Sequence, residues 1–310
     1  MRPFGKGLLA LLVTLSPLAI PIASGNASAS PGFSVTLKLA DGTFTFKSRP
    51  KAIVSLSPTA TEMLYAIGAG PQVKAVDSYS DYPTNAPKTT LNGYQPNVEA
   101  IAKYKPDLVV VASDSTGFNT QMAALKIPVI YDPAASNLAQ AYAQYGDLGA
   151  ATGHASQAKK EVSSIKSKIA QIVATTPHAK KGATYYYELE PDYYSVTSST
   201  FVGKLFGLLG LKSIADSATG VAASGGYPQL SAEFILKSNP TYIFLADTIC
   251  CKATATTVAA RSGWSSLSAV KDHRIVPLSD DIASRWGPRI TVLLQDVANA
   301  LEGKHVSATS

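Results

Sequence analysis

The sequence predicts an α/β protein made of two lobes with mainly parallel sheets, joined by one long α-helix. Three observations carry that expectation. Short apolar β-type runs alternate with short helical patterns twice along the chain, the arrangement parallel sheets require. One amphipathic stretch of about 22 residues separates the two series. A helix–turn–strand unit also recurs once in each series.

In the first series, residues 51–57 form a β-type run, after which Pro58 and Thr59 open a helix with Met63, Leu64 and Ile67 on one face. Gly68 and Gly70 end that helix, and residues 73–76 make the next strand. Residues 98–104 read as a short helix stopped by Pro106, and 108–112 as a buried strand. A helical segment over 121–125 and a strand over 128–131 follow. The second series places strands at 184–187 and 194–197, then a helix over 201–209 ended by Gly210. It continues with a helix over 232–237 stopped by Pro240, strands over 242–246 and 273–278, and a closing helix over 289–301.

Between them, Ala155, Ala158, Val162, Ile165, Ile169 and Ile172 recur three and four apart with no Pro or Gly before Pro177. A helix of that length runs roughly 33 Å and reads as a rigid brace packed along both lobes. The repeat is direct. Glu99-Ala-Ile-Ala-Lys-Tyr-Lys-Pro106 precedes an apolar strand ending at Ala112, and Glu233-Phe-Ile-Leu-Lys-Ser-Asn-Pro240 precedes one ending at Ala246. The resulting division is 1–29 as a leader, 30–150 as the N-terminal lobe, 151–178 as the bridging helix and 179–310 as the C-terminal lobe.

The leader reads as a cleaved export signal. Arg2 and Lys6 precede an apolar run over 8–23, and Ala27-Ser28-Ala29 offers a small-x-small cleavage site. Pro17 and Pro21 interrupt the run, which falls short of the roughly 20 apolar residues of a spanning helix. With no Cys nearby, a lipid-modified N-terminus is not expected. Cleavage would remove two cations from a net charge of +6, and the remainder is scattered, without Lys/Arg runs. Nucleic-acid binding is therefore set aside. The two cysteines, Cys250 and Cys251, are adjacent. In an oxidising compartment they could pair with each other or between molecules, and without a nearby His they make a poor metal site.

Candidate functional residues fall into three groups. Glu99 and Glu233 each follow a good N-cap, Asn97 and Ser231, by two residues. One such Glu would be a helix-dipole contact, but two at equivalent places suggest a paired acidic feature that docks a twofold partner. Tyr79, Tyr82, Tyr94 and Tyr227 lie in loops beside Gly and Pro, where they could line a cleft for a large, partly apolar ligand. Asp281 and Arg285, between the last strand and last helix, could pin polar groups of that ligand, with a surface ion pair as the competing reading. Arg289, at a helix start unfavourable to a cation, calls for a carboxylate partner. None of the four histidines sits beside a nucleophile or in metal-ligand spacing, so no catalytic residue and no metal site is assigned.

The order of motifs resembles the ferric-siderophore and cobalamin class of ABC-importer substrate-binding proteins, its vitamin B12-binding members above all. The resemblance rests on Ser55-Leu-Ser-Pro-Thr-Ala-Thr-Glu-Met-Leu64, Ser78-Tyr-Ser-Asp-Tyr-Pro83, Val98-Glu-Ala-Ile101 with Lys105-Pro-Asp-Leu108, Gly226-Tyr-Pro-Gln-Leu-Ser-Ala-Glu233 and Ser284-Arg-Trp-Gly-Pro-Arg-Ile290. It implies two Rossmann-like lobes, a single bridging helix, a ligand in the cleft and no cofactor. It further implies an exported, monomeric binder that delivers cargo to a permease dimer with its ATPase. Glu99 and Glu233 fall on the class's permease-docking glutamates and Tyr79 on a ligand-contacting tyrosine. Tyr94 and Tyr227 fall where B12 binders carry tryptophans, and Ile282 replaces another. Asp281 and Arg285 match cleft residues, and Tyr187 approximates a cleft phenylalanine, a one-residue shift placing Glu188 there instead. Cobalamin, a ferric siderophore or haem are the implied cargoes. An extracellular enzyme or surface protein on the same two-lobed fold is the rival from a different class.

Overall fold

A computed structural model describes residues 32–39, 42–114 and 117–308. The leader expected over 1–29 lies outside these residues. The described residues open with an antiparallel hairpin of β1 (Val35–Leu39) and β2 (Gly42–Phe46), which the sequence pattern did not suggest. The first lobe then runs β3 (Ile53–Leu56), α1 (Pro58–Ala66), β4 (Val73–Val76), α2 (Val98–Ala102), β5 (Leu108–Val111), α3 (Phe118–Ala124) and β6 (Val129–Tyr131). Its sheet is wholly parallel in the order β4-β3-β5-β6. Every residue of β3 and β5 is buried, as strands covered on both faces demand. Ser57 caps α1 by accepting from the Ala60 N–H, and Pro58 at the first helical position gives up an amide hydrogen that would have no partner there.

Helix α4 (Leu138–Thr152) packs on the first lobe against α1 and β1, and α5 (Ala155–Thr175) follows it. The second lobe then runs β7 (Thr184–Glu188), α6 (Phe201–Gly207), β8 (Lys212–Ser213), α7 (Ala232–Ser238) and β9 (Tyr242–Leu245). It closes with α8 (Ala255–Ala259), α9 (Ser268–Lys271), β10 (Ile275–Pro277), α10 (Asp280–Ala283) and α11 (Ile290–Leu301). Its sheet is parallel in the order β10-β9-β7-β8. In both sheets the strand that follows the repeated helix, β5 or β9, lies directly beside the first strand of its lobe, β3 or β7. The repeated helix–turn–strand unit is therefore α2–β5 in one lobe and α7–β9 in the other, each feeding an inner strand of its sheet.

The brace helix is α5, 21 residues long, with Ala158, Ile165, Ile169 and Ile172 buried. It packs along α4 on one side and α11, the last helix, on the other. Gly153, left-handed at φ 78°, caps α4 and turns the chain into α5. Gly149 lets the two helices meet: a Cβ there would fall 2.5 Å from that of Ala158.

The expected strand over 194–197 is not one. Tyr194 makes an isolated antiparallel bridge to Gln229, and the Ser195 and Thr197 amides donate to Pro228 O and Gly226 O. Both flanks of β7 are already taken by β8 and β9, so this strand-like run pairs with a loop instead. Among the described residues, no helix is long and apolar enough to cross a membrane.

Candidate functional site

Parallel sheets present their variable loops beyond the carboxyl ends of the strands, where ligands of open α/β proteins bind. The loop tyrosines sit there. Tyr79 follows β4 in a segment pinned from several sides. Asp77 Oδ1 accepts from the Ser80 amide at 2.9 Å, the Ser78 amide donates to Leu91 O, and Ser80 Oγ lies 3.0 Å from Thr61 Oγ1 of α1. Tyr94 is brought alongside by Gly93, whose missing Cβ would lie 2.4 Å from Leu56 O at the end of β3. Asn92 Oδ1 accepts from the Tyr94 amide at 2.8 Å and fixes the turn. The two rings meet edge to face at 5.5 Å, and both are exposed, Tyr94 at 70% and Tyr79 at 51%. The two rings thus make one continuous exposed aromatic surface.

From the other lobe, Arg285 reaches this loop. Its Nη1 donates to Glu62 Oε1 of α1 at 3.0 Å and to Asp81 Oδ1 at 2.8 Å. Its Nη2 donates to Tyr79 O at 3.1 Å and also to Asp281 Oδ1, one helical turn earlier. Arg289 adds a second cation on Glu62, Nε to Oε2 at 3.0 Å and Nη2 to Oε1 at 2.6 Å, and lies 4.3 Å from the centre of the Tyr82 ring. The carboxylate partner expected of Arg289 is thus Glu62, fully buried and 227 positions away. A buried carboxylate is tolerable only when paired in this way. The two aspartates differ. Burial raises the Asp281 carboxyl despite the guanidinium beside it. Burial pushes Asp81 up too, but the hydrogen bond and charge of Arg285 outweigh it and hold Asp81 below its ordinary value.

Tyr79, Tyr94, Asp281 and Arg285 therefore form one connected group drawn from both lobes. Arg285 is nearly buried and its guanidinium is spent on protein acceptors, so it positions the Tyr79 loop. Tyr227 stands exposed after the left-handed pair Gly225 and Gly226, and among the described residues no ring contact or side-chain hydrogen bond joins it to the group. Tyr187 does not join it either: it is wholly buried in β7, and its hydroxyl donates to Ala283 O at 2.9 Å. Its neighbour Glu188, also buried, accepts bidentately from Arg261 at 2.5 and 2.7 Å, and Arg261 stacks on Trp264 at 4.8 Å. Beside them Asp247 is buried with both carboxylate oxygens lacking a hydrogen-bond partner among the described residues, and burial, then the charge of Glu188, raise it to about 7. Sequence reasoning missed Asp247 and Arg261. An Asp directly after an apolar strand was the available signal.

Glu99 and Glu233 lie in the first turns of α2 and α7, and both are exposed. Asn97 Oδ1 and Ser231 Oγ cap those helices at 2.8 and 3.1 Å, as expected. Neither glutamate has an ion-pair partner among the described residues. No group of three metal-ligating side chains occurs among them either. A cavity of about 930 Å³ lies at the opposite, amino-terminal end of the C-terminal sheet, lined by Tyr242, Arg274 and His305 among others, and none of the sequence-assigned residues borders it.

Two parallel sheets stand on either side of one long helix, and Arg285 of the second lobe holds the Tyr79 loop of the first. Residues 53–282 match the model of the periplasmic binding protein family, and the chain belongs to that family. It is 31% identical over 266 residues to an uncharacterised ABC transporter substrate-binding lipoprotein of Bacillus subtilis, covering 83% of this chain and 82% of that one. A cobalamin-binding protein of Halobacterium salinarum is 28% identical over 90% of this chain and 77% of its own. The crystal structure of a possible iron-binding, periplasmic solute-binding protein from Staphylococcus epidermidis superposes with a TM-score of 0.70 at 27% identity, covering 82% of this chain and 99% of that one.

Proposed function

We propose that this protein is the extracytoplasmic substrate-binding component of an ABC importer, and that its cargo is cobalamin or a similarly bulky metal chelate. The observation that carries the reading is the Tyr79–Tyr94 pair, exposed and held by Arg285 from the opposite lobe. Tyr79, Tyr94, Tyr227 and Asp281 contact the ligand, Arg285 fixes the loop, and Tyr187 supports the C-terminal wall from behind. Aromatic faces with hydroxyl tips suit a large ligand of mixed polarity. A bare cation would need a His/carboxylate cluster instead. The cobalamin-binding relative supports the cargo class. Tyrosines at 94 and 227 and the neighbour described as a possible iron-binding protein favour a ferric siderophore or haem as the second reading. The protein acts as a monomer outside the cytoplasmic membrane, divided into lobes over 30–150 and 179–310 about a bridge over 151–178. Glu99 and Glu233 meet the permease dimer, with which the ATPase works.

Calorimetry with cyanocobalamin, haemin and a ferric hydroxamate tests the reading. One of the three should bind with micromolar affinity or better, and Tyr79→Ala and Tyr227→Ala should each weaken it by about 1–2 kcal/mol. Tight binding of free zinc or manganese with none of the chelates bound would overturn it.

A further inference from the structure

Cys250 and Cys251 occupy the loop that leaves the carboxyl end of β9, on the same rim of the C-terminal lobe as Asp281 and Arg285. Both are exposed, and their Sγ atoms face each other at 2.6 Å. The loop that presents them is tied down at every step. The Asp280 carboxylate accepts from Thr248 Oγ1 at 3.0 Å, from the Ile249 amide at 3.0 Å and from the Cys250 amide at 2.8 Å. Asp247 O accepts from the Cys251 and Ala253 amides, and Lys252 takes a left-handed φ of 61° between them. Ile249, next in line, is half exposed, so the rim here offers a small apolar face made of one isoleucine and two sulfurs. Asp280 immediately precedes the ligand-site residue Asp281, so the carboxylate that anchors the sulfur loop belongs to the segment that carries Asp281 and Arg285.

We propose that Cys250 and Cys251 form a vicinal disulfide, and that this apolar ring together with Ile249 is a wall of the ligand cleft on the C-terminal lobe. The inference rests on the extracytoplasmic, chelate-binding reading above. The bond forms by exchange with a disulfide-bonded oxidant of that compartment. The thiolate of one cysteine attacks the oxidant's sulfur and expels one thiol. The second cysteine, losing its proton, then displaces the other half of the oxidant as a second thiol. Two protein S–H bonds and one oxidant S–S bond are exchanged for one protein S–S bond and two thiols. No large rearrangement is needed, because the sulfurs already face each other on a fixed loop. Burial, the neighbouring thiol and the Asp280 carboxylate push the Cys250 thiol up to about 12, so a reduced Cys250 gains little from ionising. The same effect makes a thiolate ligand to a metal unfavourable at Cys250. A closed ring has no S–H donor and no charge, and it presents its sulfurs as a stiff, polarisable surface suited to the flat or apolar flank of a chelate.

Two measurements test this. Full-length protein exported by its host is alkylated with N-ethylmaleimide under denaturing conditions, with and without prior reduction, and its intact mass is recorded. The expected result is no adduct before reduction and two after it, in a monomer. Two adducts without reduction, or a disulfide-linked dimer, overturns the proposal. Cyanocobalamin, haemin and a ferric hydroxamate are then titrated into the oxidised protein, the reduced protein and C250S/C251S. Reduction and the double substitution should each weaken the bound probe by roughly five-fold or more. A disulfide whose loss leaves affinity unchanged refutes the cleft-wall role, and the reduced wild-type chain still tests that role if the serine variant folds poorly. If no probe binds any form, the chelate reading fails instead, and the alkylation result still decides the bond.

Discussion

Single residues in this chain carry titration behaviour that can be measured. Asp132 follows β6 at the edge of the first sheet, 7% exposed, with Oδ2 buried and lacking a hydrogen-bond partner among the described residues. Burial, then the charge of Asp147, raise its carboxyl from 3.8 to about 7. The folded state therefore holds a proton that the unfolded chain has given up. The stabilisation from that proton is complete below about pH 4 and is lost as pH rises through 7. Asp132→Asn keeps the shape and removes the titration. Its stability gain over the wild type should grow by roughly 2 kcal/mol between pH 5 and pH 8. Urea denaturation at the two pH values measures this, and an equal difference at both would show that Asp132 does not titrate there. Such a group was not legible in the sequence, because its shift depends on packing around one oxygen. Arg289 was half legible. A cation at a helix start implied a carboxylate, but which carboxylate depends on how the two lobes meet.

At the scale of elements, the helix–strand alternation and the brace were visible because their apolar residues keep strict periods. What stayed hidden has physical reasons. The α4 segment mixes Gly146 and Gly149 with Gln140, Gln144 and several alanines, so it shows no broad apolar stripe, although it is 15 residues long. Small residues are there because α5 lies against it. The β1–β2 hairpin alternates Val, Leu and Phe with polar residues, but it lies before the first buried strand and outside both series. Gly149→Ala tests the close approach of α4 and α5. Helix propensity alone would favour alanine by about 1 kcal/mol. The new Cβ, however, would fall 2.5 Å from Ala158 Cβ and 3.3 Å from the Ala155 Cα, where backbone must move. We expect a net loss of about 1–2 kcal/mol in thermal or denaturant unfolding. A stabilised variant would mean that α5 shifts freely along α4 and is no rigid brace.

At the scale of the molecule, two features oppose lobe motion: α5 packed against α4 and α11, and Glu62 of the first lobe held by Arg285 and Arg289 of the second. Opening the lobes would strand a buried carboxylate, which costs several kcal/mol. Solution scattering with and without bound ligand should accordingly give nearly the same radius of gyration, and a large closure would contradict the brace. A rigid body also keeps Glu99 and Glu233 at a fixed separation. In a parallel α/β unit each helix runs back against the strands, so the start of α2 and the start of α7 both lie at the carboxyl rim of their sheets. The duplication puts one glutamate without an ion-pair partner among the described residues on each lobe, in the first turn of the helix that leads into an inner strand. Two fixed carboxylates facing basic residues on a twofold permease would set register and encounter rate more than affinity. Glu99→Arg with Glu233→Arg should leave chelate binding unchanged. It should cost little stability, since a first-turn carboxylate contributes only about 0.3–1 kcal/mol. Transport into liposomes carrying the cognate permease and ATPase, and the stimulation of ATP hydrolysis, should fall sharply in each single reversal and further in the double one. A double reversal that transports normally would reduce both glutamates to helix-dipole contacts and remove the docking role from this rim.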